Sequence, residues 1–485
     1  MADILTTIVE QRKRDLKERG PAFGYEIPEQ RQRPVHQFLP SKGVILEVKR
    51  ASPSKGDIAP GLNAVETAKS YQAAGAAAIS CLTEENFFKG SLKDLMEICQ
   101  AVDIAVLRKD FLINEEDVEI AYRAGADAVL LIARILESSL MIKMAKAAAA
   151  HKMTSLVEVR SEADIEKLRE LAAVVDPEYI VCGVNSRDLA TFKIDLLKPC
   201  ALLSKIKEVL GDGARVVFES GIRKPEAANF AGSLGFTGML LGEAAAKAPE
   251  LRGQLVKSFV EAGLTKNATF WNEYSVSQNA HRPKVKICGL TREEDLLLAD
   301  SLGADFVGFI FAAGFARNVC GEKFEKMIPA LKEVKSKKVA VVTDAESPEA
   351  ERAVRYVEEG ILDCLQLHGI AYEKVPARML ALPHYFAITE KSGPIEETAE
   401  KLFQLGEARF LQDSKSQNYS TKHKLWLAGG VTCENAADLV SRFQPELIDL
   451  SSGIESEEIG LKDKVKMEKL FSSLRAQRSN DVTRI

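Results

Sequence analysis

Metal-binding residue types are thin in this sequence. Its 485 residues hold 6 histidines and 8 cysteines. The histidines stand apart, without the H-E-x-x-H spacing that sets two imidazoles on one helix face. The cysteines form no C-x-x-C pair. They read as reduced thiols of a cytoplasmic protein, not as a disulfide framework or a zinc site. No metal and no cofactor are therefore expected. Neither G-x-G-x-x-G nor G-x-x-x-x-G-K-[ST] occurs, which removes the common dinucleotide and triphosphate cradles. No apolar run reaches 18 residues, so no membrane span is expected. The opening Met1-Ala2-Asp3-Ile4-Leu5 is broken by an acid, unlike a signal peptide. Positive charge is in slight deficit, 65 Lys and Arg against 70 Asp and Glu, a net -5. That balance argues against nucleic acid as a partner. It leaves small phosphorylated molecules, which need only local cations. A monomer is expected.

What is there is the profile of a folded globular chain, 46% hydrophobic and 28% charged. The length exceeds one compact core and implies about two domains. Residues 3–19 set Ile4, Leu5, Ile8, Val9 and Leu16 among charges. That pattern predicts an amphipathic helix, stopped by Gly20-Pro21. A Pro- and Arg-rich connection fills 20–43. Then one unit recurs: a helix ends on glycine and an apolar strand starts at once. Examples are Ala74-Gly75-Ala76, Gly125-Ala126-Asp127-Ala128-Val129 and Gly303-Ala304-Asp305-Phe306-Val307. Glycine accepts the left-handed conformation that ends a helix. Near-continuous apolar strands belong to a parallel sheet buried on both faces.

Strands are expected near 44–49, 76–82, 104–108, 127–133, 154–159, 180–184, 215–219 and 237–242. Eight is the count that closes a (β/α)8 barrel of about 250 residues. A helix near 250–262 completes it. Residues 263–282 lack periodicity and read as a linker or docking segment. A second series starts at Lys284 and continues near 305–311, 338–342, 362–367, 384–388, 409–413, 424–428 and 446–451. The expected fold class is α/β: two consecutive (β/α)8 TIM barrels, the first with an extra N-terminal helix. The expected divisions are 1–262, a linker 263–282, and 283–485. An open doubly wound sheet is the alternative, with no nucleotide motif behind it.

Barrel chemistry sits at the C-terminal ends of strands. In the first series those ends carry Glu47, Lys49 and Ser52, then Lys109, Glu158, Asn185, Arg187, Glu219 and Ser220. Glu47 and Lys49 are two apart, so they share a strand face. They read as part of an active site, as a buried ion pair or as the face of a solvated edge strand. Lysines beside carboxylates permit general acid–base work, because each tunes the other. Gly221 and Gly242 follow strands seven and eight and would let backbone N–H groups approach a phosphate.

Glu-x-Lys-Arg-Ala-Ser-Pro-Ser-Lys-Gly (47–56), Leu-Arg-Lys-Asp-Phe (107–111), Gly-Ala-Asp-Ala-Val-Leu-Leu-Ile (125–132), Leu-Val-Glu-Val (156–159), Asn-Ser-Arg-Asp-Leu (185–189) and Glu-Ser-Gly-Ile (219–222) resemble indole-3-glycerol-phosphate synthase. The resemblance covers roughly residues 1–260. It implies ring closure of 1-(2-carboxyphenylamino)-1-deoxyribulose 5-phosphate with loss of CO2 and water. It also implies Lys109 as general acid, with Glu47 and Glu158 handling protons and Lys49 neutralising substrate charge. Asn185 would orient the substrate, and Glu219 joins the catalytic set. Ser52, Arg187, Ser220, Gly221 and Gly242 would bind substrate, largely at its phosphate. Phe111 and Leu130 would wall the aromatic ring.

The second series ends its strands in Lys286-Ile287-Cys288-Gly289, Gln366-Leu367-His368-Gly369, Gln412-Asp413-Ser414, Ala428-Gly429-Gly430 and Ser451-Ser452-Gly453-Ile454-Glu455. A lone strand cysteine reads first as a small buried hydrophobe. Together these stretches are similar to phosphoribosylanthranilate isomerase, over roughly 283–470. The resemblance implies an Amadori rearrangement with Cys288 as base and Asp413 as acid. Arg317 would bind the anthranilate carboxylate, and His368 the substrate. Gly430, Ser451, Ser452 and Gly453 would hold phosphate. Two departures stand out. Phe315-Ala316 precede Arg317 where the family has Ser-Pro. No glycine follows Asp413 before Gly429, so Lys415, Ser416 or Ser420 would have to replace phosphate-binding amides, and a weaker hold is expected. The isomerase product is the synthase substrate, which would place consecutive steps of tryptophan biosynthesis in one chain. The competing readings are a non-catalytic second barrel, or a different phosphosugar lyase or isomerase on the same fold.

Overall fold

A computed structural model describes residues 4–53, 55–188, 191–277 and 282–482, without the side chains of 476–482. Ser54 and Leu189 of the motifs above, and 278–281 of the expected linker, lie outside the described residues. The chain forms two units, Met1–Leu264 and Thr265–Ile485.

In the first unit the strands are Gly43–Val48, Ala78–Leu82, Ala105–Lys109, Ala128–Ile132, Thr154–Val159, Ile180–Asn185, Val216–Glu219 and Gly238–Leu241. They close into a barrel, with Ile45 opposite Ala78 on one side and Leu240 on the other. Ile45, Leu107, Leu130, Leu156, Val181, Val217 and Leu240 fill the interior with Phe38 and Leu39. Inward positions recur every second residue, so Glu47 follows Ile45 toward the mouth. The Asp of the recurring Gly-Ala-Asp has a structural use. Asp127 Oδ2 accepts the Val106 N–H of the neighbouring strand (2.8 Å), and its Oδ1 accepts from Arg31 (2.6 Å). Asp305 repeats this in the second unit, accepting from the Val285 N–H (2.9 Å) and Arg282 (2.6 Å).

The N-terminal helix spans Ile4–Arg19, and Gly20 leaves it with φ +71°. Leu5 and Ile8 are buried. Arg12 is buried too and donates to Asp110 (3.0 Å) and Asp117 (2.5 Å), which lie beside buried Arg108. Charges this deep persist only when paired.

In the second unit Lys284–Cys288, Phe306–Ile310, Lys337–Val342, Cys364–His368, His384–Thr389, Phe410–Asp413, Trp426–Ala428 and Leu447–Leu450 close a second eight-stranded parallel barrel. The expected linker is corrected here: Lys266–Val276 is a helix of this unit. Thr265 caps it by accepting the Ala268 N–H (3.1 Å). Trp271 packs on Trp426 with ring centroids 5.9 Å apart, and Tyr274 Oη donates to Glu446 (3.0 Å). Phe270, Trp271 and Tyr274 fall on one helix face at a spacing of three to four, a short apolar stripe among polar residues. Among the described residues no helix is long and apolar enough to cross a membrane.

Candidate active sites

The first barrel's mouth opens on a cavity of about 190 Å³. Its walls include Glu47, Lys49, Ser52, Lys109, Phe111, Leu130, Glu158, Asn185, Arg187, Glu219, Ser220, Gly221 and Gly242. Every first-barrel residue singled out from the sequence is thus brought to one place. Glu47 lies between two cations. Its Oε1 is 2.5 Å from Lys49 Nζ and its Oε2 is 2.8 Å from Lys109 Nζ. Burial opposes its ionisation, but Lys109 and Lys49 outweigh burial and hold it down at about 2. Lys109 also faces Glu219 Oε2 at 3.8 Å. Burial works against the Lys109 charge, yet Glu47 and Glu219 lift it well above an ordinary lysine. Glu219 is the opposite case. Burial raises it, Lys109 only partly offsets this, and Glu158 and Glu47 add to the rise, leaving it at about 7.

The backbone leaves room where charge has to fit. A methyl group at Gly242 would stand 2.6 Å from Glu47 Oε1 and 2.7 Å from Lys49 Nζ. Gly221, at φ +87°, lies where a methyl group would meet Ile194 at 2.7 Å. Ser220 before it also has a positive φ of 72°, and its carbonyl accepts from Ser186 Oγ (3.0 Å). Asn185 Oδ1 accepts the Arg187 N–H (2.9 Å), which fixes the loop that follows. Phe111 lies beside Phe88, centroids 6.1 Å apart, as an aromatic wall. Sequence reading missed Arg160, Arg223, Lys55, Leu5 and Ile8 as cavity residues. Lys55 stood inside a quoted motif and Arg223 just after one. The helix residues gave only an apolar-face signal.

In the second barrel Lys286 and Cys288 share a strand face. Lys286 Nζ donates to Asp449 Oδ2 (2.8 Å) and bonds the Cys288 thiol. Burial pushes the Cys288 thiol up, Lys286 pulls it back, and Asp449 opposes that pull. Across the mouth, His368 Nε2 is 3.8 Å from Asp413 Oδ2. Tyr385 Oη donates to Gln366 Oε1 (2.8 Å), and Gln366 Nε2 meets His368 Nδ1 (3.0 Å). Burial raises the Asp413 carboxyl against the pull of His368, and Asp449 adds to the rise.

Arg317 is engaged. Its Nε and Nη2 donate to Glu455 Oε1 and Oε2, both at 2.6 Å, and Lys462 Nζ joins the same carboxylate at 3.1 Å. The chain after Asp413 is tied down by its own side chains. Ser414 Oγ (2.8 Å), Ser416 N–H (3.0 Å) and Ser416 Oγ (2.6 Å) all donate to Glu390 Oε1. Ser420 exchanges two backbone bonds with the Gln412 side chain, at 2.8 and 2.9 Å. Ser416 is thus engaged with Glu390 through side chain and backbone, and Ser420 with Gln412 through its backbone alone. Gly429, at φ +94°, meets the Ser414 backbone so closely that a methyl group would stand 2.6 Å from it. Gly430 has open space beside it, and Gly453 packs against the Val431 carbonyl. The loops carrying Gly430 and Ser451-Ser452-Gly453 therefore meet. Among the described residues no three His, Cys, Asp or Glu side chains converge as a metal site.

The family described as Indole-3-glycerol phosphate synthase matches residues 5–258. The family described as N-(5'phosphoribosyl)anthranilate (PRA) isomerase matches residues 285–473. An indole-3-glycerol phosphate synthase of Syntrophobacter fumaroxidans is 35% identical over 270 residues, 53% of this chain and 98% of its own length. A multifunctional tryptophan biosynthesis protein of Phycomyces blakesleeanus is 29% identical over 502 residues, covering 88% of this chain and 62% of its own. A solved phosphoribosyl anthranilate isomerase of Thermus thermophilus is 30% identical, covering 40% of this chain and 99% of its own with a TM-score of 0.34. The chain belongs to the indole-3-glycerol phosphate synthase family and carries an N-(5'-phosphoribosyl)anthranilate isomerase domain in tandem.

Proposed function

We propose that the chain catalyses two consecutive steps of tryptophan biosynthesis. The second barrel isomerises N-(5-phosphoribosyl)anthranilate, and the first closes the product to indole-3-glycerol phosphate. The observation that carries the synthase reading is Lys109 set between Glu47 and Glu219 in one cavity with the rest of its constellation.

In the first barrel the anthranilate ring carbon attacks the ketone and an alkoxide forms. Lys109, kept cationic by its carboxylates, gives that oxygen a proton; an alkoxide is far more basic than an amine, so transfer is downhill. CO2 then leaves and the ring regains its aromaticity. The anilino nitrogen pushes out the new hydroxyl, which takes a proton from a lysine of the pair and departs as water. Glu158 takes a proton from the methylene carbon beside nitrogen, which forms the pyrrole double bond. Glu47, held at about 2, is a poor base; it anchors the two lysines. Glu219, at about 7, can carry a proton near neutrality and reset the site. Phosphate is held by the Ser220-Gly221 backbone with Arg187, Arg223 and Lys55 near the rim.

In the second barrel Asp413, its carboxyl raised, protonates the furanose ring oxygen and opens the sugar to an iminium. Cys288 first gives its proton to solvent, the thiolate being stabilised by Lys286, and the thiolate then takes the proton from the adjacent carbon and returns to the thiol. The enol then becomes the aminoketose. Asp449 stays paired with Lys286 throughout. Crossed variants test both readings in the full chain. Loss of substrate fluorescence reports the isomerase, and indole-3-glycerol phosphate formation reports the synthase. A wild-type chain that turns over one substrate alone removes the bifunctional reading.

A further inference from the structure

Three carboxylates surround Lys109, and two of them, Glu47 and Glu219, already face its ammonium group. Glu158 is the third, yet it does not collapse onto the lysine. The reason lies at the corner where strand five meets the next helix. Ser161 Oγ accepts the Asp164 N–H (3.3 Å), while Asp164 Oδ2 accepts the N–H groups of Arg160 (2.9 Å) and Ser161 (3.0 Å). This reciprocal cap fixes the Arg160 backbone. The Arg160 side chain, 12% exposed, folds back onto Glu158, itself 4% exposed. Nε donates to Glu158 Oε1 (2.7 Å), and Nη2 donates to the same oxygen. Among the described residues no hydrogen bond reaches Oε2. One oxygen therefore takes both Arg160 bonds and the other is left without one, in a residue that lines the same cavity as Arg160.

We propose that Arg160 is a positioning residue of the synthase site, which holds Glu158 apart from Lys109 and presents Oε2 as its single proton-accepting atom. This rests on the reading in which Glu158 takes the methylene proton. The geometry divides labour among like groups. Glu47 anchors lysines, Glu219 exchanges protons, and Glu158 stays oriented because a planar guanidinium holds it from outside the lysine cluster. The charges facing Glu158 are Arg160 from its own strand end, Lys109 from the third strand and Glu219 from the seventh, with Glu47 behind Lys109. Asp164 faces Arg160 from the helix. Removing Arg160 takes away one of two nearby cations and with it the hold on Glu158 Oε1.

The test is the pH profile of synthase turnover in the full chain, for wild type, R160Q, R160K and E158Q. In R160Q the acidic limb of kcat/KM moves up, because Arg160 is also one of the charges that hold Glu219 down. Its plateau kcat falls about tenfold with KM little changed, because the base loses its orientation. R160K keeps the charge without the planar fork, so its limb stays near wild type while its plateau still falls. An R160Q protein with a wild-type limb and wild-type kcat per folded molecule, even if less heat-stable, overturns the inference and leaves the synthase reading intact. A wild-type chain without turnover, or an E158Q variant with wild-type turnover, overturns the reading beneath it.

Discussion

Both barrels hold their cations at rest with carboxylates of their own, but they do so in different places. In the first, Glu47 lies between Lys49 and Lys109 and the cavity stays open in front of them. In the second, Glu455 grips Arg317 edge to edge, in the geometry a substrate carboxylate would use. A carboxylate ligand arriving there has to share Arg317 or displace Glu455 toward Lys462. The same contrast runs through the ends proposed to hold phosphate. The first barrel keeps Gly242 without a side chain beside Glu47 and Lys49, and Gly221 against Ile194 and Ser186. The second fills the chain after Asp413 with bonds to Glu390 and uses Gly429 only to let two backbones touch.

The largest effects should come from removing the acids. Lys109→Ala is expected to lower synthase kcat by about 10³, with isomerase turnover unchanged. Asp413→Asn should do the reverse to a similar extent. A synthase insensitive to Lys109→Ala breaks the first half of the comparison.

Gly429→Ala comes next. Its methyl group has no room against the Ser414 backbone and φ is +94°. Overpacking of this kind costs about 1–3 kcal/mol. The expected result is a lower unfolding temperature for the second barrel and a large loss of isomerase activity, with the synthase retained. Differential scanning calorimetry with both assays measures it.

Glu219→Gln should change how stability depends on pH. Folding raises Glu219 from 4.5 to about 7, so its contribution is fully present below 4.5 and is lost as pH rises through 7. The variant should match wild type near the lower end of that window and melt higher above it. Equal melting temperatures across the window would mean that Glu219 is ionised in the folded chain. Glu47 has the opposite sign: its contribution disappears as pH falls from 4.5 toward about 2.

The smallest effect is expected for Glu390→Ala, which unties Ser414 and Ser416. The KM for the phosphoribosyl substrate should move by about threefold, the worth of one hydrogen bond. An unchanged KM would detach this loop from the phosphate end and narrow the difference between the barrels.

Much of this layout was legible from residues alone. Strand bounds fell within a residue or two, because apolar runs between a helix-ending glycine and a polar end mark them from both sides. Glu47 and Lys49 could be put on one face because a strand has a period of two. Other features depend on distance in space that spacing does not carry. Arg317 and Glu455 are 138 residues apart, and only closure of the barrel brings them together. Ser416 and Glu390 come from adjacent strand ends whose loops had no periodic signal. Arg160 sits one residue past a strand and reads as a solvated loop cation until the Ser161–Asp164 cap turns it inward. The helix at Lys266–Val276 was hidden by the polar residues between its aromatic rings.

Arg12 reaches Asp110, the residue that directly follows Lys109. The helix at the cavity wall and the strand end bearing the acid are therefore one hereditary unit. A chimaera that takes its first nineteen residues from a relative without this arginine leaves Asp110 and Asp117 to share Arg108 alone, buried from water. Recombination between relatives should then keep residues 12, 108, 110 and 117 together, although nearly a hundred positions separate the first from the rest.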